Sequence, residues 1–284
     1  MNGHGEDGHE AVVAPIRITD ARDPRVDDHR DLRLRGERAS GTVVVEGHLA
    51  IRRLLASGLQ VRSVLLSRRG LRLLEGDLAG GAVTTYVAEP DVIEQIVGFD
   101  LHRGALAVAA RPAPVTAAEV LAGSRVVCVL EGVNDHENLG AVIRSAVGLG
   151  IDGLLLSPDC ADPLYRRSIR VSMGWALTLP TARLAPWPGA LPVLGAGWAT
   201  VALTPSPAAP ALAGVVADMV ADPPRQVAVL LGAEGPGLSD AALAAASHLA
   251  RIPMVDGIDS LNVAHAATIA FSLIGRAGRP SPAW

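Results

Sequence analysis

Val126-Val-Cys-Val-Leu-Glu-Gly-Val-Asn-Asp-His-Glu-Asn-Leu-Gly-Ala-Val-Ile-Arg144 decides how this chain is read. Its first five residues, Val126 to Leu130, are apolar and have the length of a buried strand. They give way to a polar stretch through Asn134, Asp135, His136 and Glu137, and apolar residues at helical spacing resume from Leu139 to Leu149. Two later segments repeat the arrangement. Val227–Leu231 runs into Gly232-Ala-Glu-Gly-Pro-Gly-Leu-Ser239, and Arg251–Met254 into Val255-Asp-Gly-Ile-Asp-Ser-Leu-Asn262. In an open α/β sheet, ligands sit beyond the carboxyl ends of the strands. Three such edges in one domain point to a single site assembled from distant segments.

Outward from these segments, Gly153–Leu156 and Ala199–Leu203 read as further strands, with helical patterns near 163–174, 208–220, 239–248 and 262–275. Alternating strands and helices over residues 125–284 predict a parallel sheet covered on both faces. A smaller α/β unit is expected over 39–111. Its strands are Thr42–Val45, Val61–Leu66, Val83–Val87 and Ala105–Ala109, and its helices are His48–Ala56 and Asp91–Val97. Residues 112–124, which begin Pro-Ala-Pro, read as a linker. Residues 1–38 read as a flexible, charged lead-in, rich in Gly, His and acids over 1–12 and in Asp, Glu and Arg over 20–38.

The chain has 284 residues, of which 49% are apolar and 19% charged, enough to bury a core in each of two domains. A net charge of −4 excludes a globally basic nucleic-acid binder, so any such surface is local. All 25 basic residues are arginine; codon bias and bidentate phosphate recognition both fit that choice. Cys128 and Cys160 form no CxxC pair and no zinc set, so no metal is expected and a reducing cytoplasm fits. The N-terminus lacks the basic start and apolar stretch of a signal peptide, and no apolar run is long enough to span a membrane.

The residues at the three strand edges carry the chemistry. Asn138 precedes the run from Leu139 and reads as a helix N-cap, a site residue, or both. Gly140 and Ala141 allow close approach by another backbone or a ligand. Arg144 sits among Val142, Ile143, Ala146 and Val147, where a cation needs a partner or a substrate. The segment from Gly232 lacks GxGxxG spacing and the Lys-Ser/Thr of a P-loop, and Glu234 would repel a pyrophosphate. A cationic or amine-bearing ligand, or a structural contact to backbone amides, suits that carboxylate better. Ser239 reads as an N-cap. Ser260 and Asn262 read as caps or pocket residues, and the irregular backbone between Pro253 and Gly257 offers main-chain groups that can read a nucleobase edge.

Taken together, these segments resemble the three signature motifs of the SpoU/TrmH family of RNA ribose 2′-O-methyltransferases, in the SPOUT superfamily. Asn138-x-Gly-Ala-x-x-Arg144 matches the first, Gly232-x-Glu234-x-x-Gly-Leu-Ser239 the second, and Ile252-Pro-Met with Ser260-Leu-Asn262 the third. The stretch from Asp162 through Ser172-Met-Gly is also similar. Val45-Glu46-Gly47 and Leu101-His-Arg-Gly104 resemble the family's substrate-binding domain, of ribosomal-protein L30-like fold. The resemblance implies a trefoil-knotted C-terminal methyltransferase domain over 125–284 and a homodimer that completes each site across the subunit interface. S-adenosylmethionine is the implied cofactor and ribosomal or transfer RNA the implied substrate, with ribosomal RNA slightly favoured.

Carried over to this chain, the catalytic group is Arg144, Asn138, Glu234, Ser260 and Asn262, with Arg144 activating the ribose hydroxyl. Gly232, Ile252 and Leu261, joined by Leu203, Gly235 and Met254, are expected to hold the cofactor. Two departures stand out: His136-Glu137 where many members have proline, and Ala264-His265 where Ser-Val is common. From Gly47 to Leu74 there are six arginines and no acid: Arg52, Arg53, Arg62, Arg68, Arg69 and Arg72. They read as an RNA-phosphate surface or as a solvated helix face. A catalytically silent RNA-binding or resistance factor of the same fold is the alternative function. A nucleotide-dependent Rossmann oxidoreductase is a weaker one, because GxGxxG is missing.

Overall fold

The computed structural model describes residues 14–30, 41–80, 83–99, 101, 104–222 and 224–275. Of the flexible lead-in expected over 1–38, residues 1–13 and 31–38 lie outside these, as does the pair His102-Arg103; residues 14–30 are instead folded, with Ile16–Arg17 paired to Tyr86–Val87. The chain divides into two compact units, residues 1–112 and 113–284.

The first unit holds β1 (Ile16–Arg17), β2 (Thr42–Glu46), α1 (His48–Ala56), β3 (Val61–Leu66), α2 (Arg68–Leu78), β4 (Thr84–Val87), α3 (Pro90–Val97) and β5 (Ala105–Ala110). Its sheet runs β1-β4-β3-β5-β2, parallel from β1 to β3 and antiparallel on both sides of β5. β5 lies between two partners, and its residues Ala105 to Ala109 are fully buried, which explains a strand built of small and β-branched residues. The helix α2 was not anticipated, because Gly70 and Gly76 dilute its pattern; it is capped by Ser67, whose hydroxyl accepts from the Gly70 N–H.

The second unit holds α4 (Ala117–Leu121), β6 (Val126–Glu131), α5 (His136–Gly148), β7 (Gly153–Leu156), α6 (Arg166–Val171), β8 (Thr181–Arg183), β9 (Trp198–Leu203), α7 (Leu212–Ala221), β10 (Gln226–Gly232), α8 (Asp240–Ala245), β11 (His248–Ala250) and α9 (Val263–Ile274). Its six strands form one parallel sheet in the order β11-β9-β10-β6-β7-β8. The central strands β6 and β10 are paired on both sides and read as unbroken apolar runs.

Three expectations for the second unit are corrected. Residues 117–121, placed in the linker, form α4: Thr116 and Glu119 close a capping box, and Val120 is buried against the sheet. The strand expected at Arg251–Met254 is instead β11 at His248–Ala250, and the preceding helix ends at Ala245. There the Ser247 N–H donates to the Thr200 hydroxyl at 2.7 Å and the Thr200 N–H to the Ser247 hydroxyl at 2.8 Å, which turns the chain into the sheet early. The helix expected over 163–174 is only α6, ended by left-handed backbone at Met173 and Gly174. The edge strand β8 was not foreseen, since three residues carry too little periodicity to be read.

Within the first unit, a 3-10 stretch at Pro24–His29 is tied down by a buried histidine. His29 is fully buried, hydrogen-bonds the Ser63 hydroxyl of β3 at 2.8 Å through Nε2, and packs edge-on against Tyr86 of β4. Burial pushes its pKa down to about 4, against a small opposing pull from Asp28. A depressed histidine contributes stability above its unfolded pKa of about 6.5 and loses it as pH falls toward the folded value. Urea unfolding followed at pH 7 and pH 4.5 should therefore show a loss of about 2–3 kcal/mol from this group. His29→Gln should remove that part of the pH dependence; an unchanged profile in the variant would exclude His29 as its source.

Candidate active site

The carboxyl ends of β9, β10 and β11 open onto one cleft. β9 contributes Leu203 with Thr204 and Pro205 after it, β10 and its loop contribute Leu231 through Gly235 with Gly237, and the chain after β11 contributes Ile252, Met254, Ser260 and Leu261. Val263 and Ala266 of α9 close it. All six positions expected to hold a cofactor line this cleft, and Glu234 and Ser260 line it with them. Sequence reading missed Thr204 and Pro205, although they follow an apolar run just as the other edges do.

Gly232 has a more specific reason to be glycine than access for a ligand. A Cβ there would lie 2.0 Å from the Gly237 carbonyl carbon and 2.2 Å from the Leu238 nitrogen. The approach it permits is by its own loop, which folds back so tightly that the Gly237 N–H donates to the Ala233 carbonyl at 3.0 Å.

The first motif reaches the cleft through hydrogen bonds. Asn138 is not the cap of α5: Asp135 is, accepting from the Glu137 and Asn138 N–H groups, which leaves the Asn138 side chain free to point elsewhere. Its amide donates to Glu234 Oε1 at 3.1 Å. The Asn262 amide donates to the same oxygen and, at 2.9 Å, to Asn138 Oδ1. Asn262 is also the N-cap of α9, its carbonyl oxygen accepting from Ala264 N–H at 2.9 Å. Cap and site role coincide in this one residue. Glu234 thus receives two neutral carboxamides from protein, side chains and not the backbone amides the sequence suggested.

Arg144 is not part of this cluster. It is exposed on α5, six residues after Asn138 and so about 120° around the helix. Ser145, not Arg144, shares the Asn138 face, and its hydroxyl meets Thr268 of α9 at 2.7 Å. Within one chain the Asn138 side chain meets Glu234 and Asn262 and not Arg144. Arg144 makes no hydrogen bond or ion pair to any described residue. On α9, which packs against α5, His265, Ile269 and Leu273 recur every fourth residue and are exposed.

The His136-Glu137 departure is explained by position. His136 is the first helical residue of α5, where proline is also well accommodated. Its ring packs 4.2 Å from that of Tyr165, and burial pushes its pKa below the ordinary histidine value while Asp135 and Asp162 pull it back. Gly140 sits where α6 crosses: a Cβ would lie 2.7 Å from Val171 Cβ and 2.8 Å from the Ser168 carbonyl oxygen.

In the first unit, the arginine run is less free than the local sequence implies. Arg52 pairs with Asp77 at 2.8 Å, Arg68 with Glu89 at 3.1 Å, and Arg62 meets Asp28 at 3.5 Å. Acids outside the counted stretch return to it in the fold. Arg69 and Arg72 stay exposed on α2, and Arg53 is half-buried on α1.

The family model described as SpoU rRNA Methylase family matches residues 125–272. An uncharacterized tRNA/rRNA methyltransferase of Mycobacterium tuberculosis is 45% identical over 92% of each chain. The 23S rRNA (guanosine-2′-O-)-methyltransferase RlmB of Bordetella pertussis is 29% identical over 81% of this chain and 95% of its own. Among solved structures, an AdoMet-bound rRNA methyltransferase from Sinorhizobium meliloti superposes with a TM-score of 0.76 at 24% identity, over 93% of this chain and 98% of its own.

The two crowded glycines can be told apart by substitution. Gly140→Ala should cost about 1–3 kcal/mol, and in a double-mutant cycle with Val171→Gly part of that cost should disappear, because the Val171 Cβ is one of the atoms in the way. Gly232→Ala should cost more and resist any side-chain truncation, because main-chain atoms stand in the way. Chemical denaturation reads both, and a Gly232→Ala protein as stable as wild type would rule out the tight loop.

Proposed function

The chain belongs to the SpoU rRNA methylase family, and from that membership we propose that it transfers the methyl group of S-adenosylmethionine to a ribose 2′-hydroxyl of RNA, ribosomal RNA being favoured over transfer RNA. The coarser activity, S-adenosylmethionine-dependent RNA methylation, comes with the family. The finer one is supported by the convergence of three separated segments on one cleft through Asn138, Glu234 and Asn262, and by the 2′-O activity named for the Bordetella relative.

The cleft suits the cofactor chemically. Leu203, Ile252, Met254 and Leu261 supply apolar walls for a purine ring, while the irregular backbone after β10 and β11 supplies amides and carbonyls for its edge. When bound, S-adenosylmethionine supplies a methyl carried on a sulfonium. Leu203, Gly232, Gly235, Ile252, Met254 and Leu261 hold and orient it. The Asn138, Glu234 and Asn262 side chains keep the loops in register, and Ser260 borders the place for the ribose. Alignment of this kind can contribute several kcal/mol to an in-line transfer.

Arg144 is the group assigned to the ribose hydroxyl. A guanidinium keeps its charge and does not serve as a base, so its role is to contact phosphate and stabilise the developing alkoxide. Proton loss then goes to phosphate or water. Because Arg144 lies off the cleft of its own chain, the reading requires a homodimer in which it serves the partner's cleft. The exposed stripe of Ile269 and Leu273 on α9, beside α5, suits burial against a second copy. The knot belongs to the same reading: the chain after β11 runs alongside the chain after β9, where Arg251 bridges Ala211, and returns through α9. The first unit, read as L30-like, would carry RNA on Arg69 and Arg72, with Arg52, Arg53, Arg62 and Arg68 exchanging protein partners for phosphate. The buried thiols of Cys128 and Cys160 suit a reducing cytoplasm.

Three measurements test the proposal. Calorimetry should find S-adenosylmethionine binding to the wild-type protein; a folded protein that binds none would favour the silent RNA-binding alternative. Arg144→Ala should lower methyl transfer at saturating RNA by about a hundredfold or more with cofactor affinity unchanged, and a variant of near-full rate would remove Arg144 from the mechanism. Ile269→Glu with Leu273→Glu should yield a monomer in sedimentation, and a dimer that persists would place the interface elsewhere.

A further inference from the structure

The loop that forms one wall of the cleft is held at both ends by a residue outside the cleft. Glu131 ends β6 and stands opposite Gly232, the last residue of β10, in the parallel register. Its side chain then reaches past that loop to where it finishes. Glu131 Oε2 accepts from the Ser239 N–H at 2.9 Å, and Oε1 accepts from the Trp187 indole N–H at 2.5 Å. Ser239 in turn caps α8, its hydroxyl accepting from the Ala242 N–H. The loop from Gly232 to Leu238 therefore starts beside the Glu131 main chain and ends on its carboxylate.

The other end of the clamp is anchored. Trp187 packs against a core cluster that includes Leu184, Leu191, Leu230, Leu238 and Ala242. A carboxylate is needed for this geometry, because two N–H donors converge on its two oxygens and both must be accepted.

We infer that Glu131 is a positioning residue for cofactor binding, setting the shape of the Gly232–Gly237 wall by holding the Ser239 N–H at its far end. The inference rests on the reading of the cleft as the S-adenosylmethionine site. It requires no contact between Glu131 and the ligand. The effect falls on affinity for S-adenosylmethionine, and the stability of the unit changes only to the extent that one polar contact is lost.

Calorimetric titration of the full-length protein with S-adenosylmethionine tests this. In Glu131→Gln, one oxygen becomes an NH2 that opposes a donor, so Kd should rise tenfold or more. In Trp187→Phe, the indole donor is lost but Ser239 stays held, so Kd should stay within about threefold while the urea midpoint falls at least as much as in the glutamine variant. Equal weakening in both variants, or a glutamine variant within twofold of wild type, overturns the inference. Should Glu131→Gln fail to fold, the pair Ser239→Ala and Ser239→Pro decides. Both remove the cap hydroxyl, but only proline removes the N–H, and residue 239 already has φ −63°, which proline adopts. Affinity should drop further in the proline variant, and equal affinities overturn the inference. Wild type that binds no S-adenosylmethionine overturns the functional reading and this inference together; wild type that binds, with the variants unchanged, overturns this inference alone.

Discussion

One carboxylate oxygen, Glu234 Oε1, accepts from two carboxamides that arrive from residues 96 and 28 positions away in the chain. Asn138 and Asn262 are also bonded to each other, across 124 positions. Three strand-end segments with no sequence proximity are thereby held in one place. A carboxylate facing neutral amides forms charge-assisted bonds, stronger than amide–amide pairs. Loss of any one member removes its links to the other two segments. The cleft beside this cluster can be built largely of glycine, main chain and apolar side chains because its geometry is imposed by the cluster and by the sheet beneath it.

The parallel sheet explains why the site is where it is. β9, β10 and β11 all point their carboxyl ends the same way, so the loops that leave them meet. The central β6–β10 pair is packed on both faces and gives those loops a rigid base. Glycine at 232 lets the β10 loop fold flat against itself, and Gly140 lets α6 settle on α5. These two positions constrain the backbone as strictly as the polar residues constrain the chemistry. Arg144 stands apart: it is on the same helix as Asn138 but on another face, exposed and outside the cleft lining.

Much of the architecture could be read directly from the chain. Val126–Leu130, Gly153–Leu156 and Val61–Leu66 are long or buried enough that their periodicity names them as strands. The failures were local and have causes. At Ser247, a pair of side-chain to backbone bonds to Thr200 draws the chain into the sheet before any apolar run begins. In α2, two glycines hide a helix whose Ser67 cap and packing against α1 sustain it. At Asn138, Asp135 three residues earlier takes the cap. The six-arginine stretch looked uncompensated because Asp28, Asp77 and Glu89 lie outside it in sequence yet beside it in space.

The class of fold, the three strand-end motifs and the residue types gathered there can be read along the chain, because strand length, apolar period and glycine placement are local properties. Which side chains hold one another emerges only in the folded chain: that Glu234 meets two protein carboxamides, that Asn262 is cap and cluster member at once, that Glu131 grips Ser239, and that Arg144 lies off its own cleft. Hydrogen bonds across about a hundred residues depend on how the helices rotate about their axes and on which loops cross. Packing sets those rotations and crossings, and no local pattern encodes them.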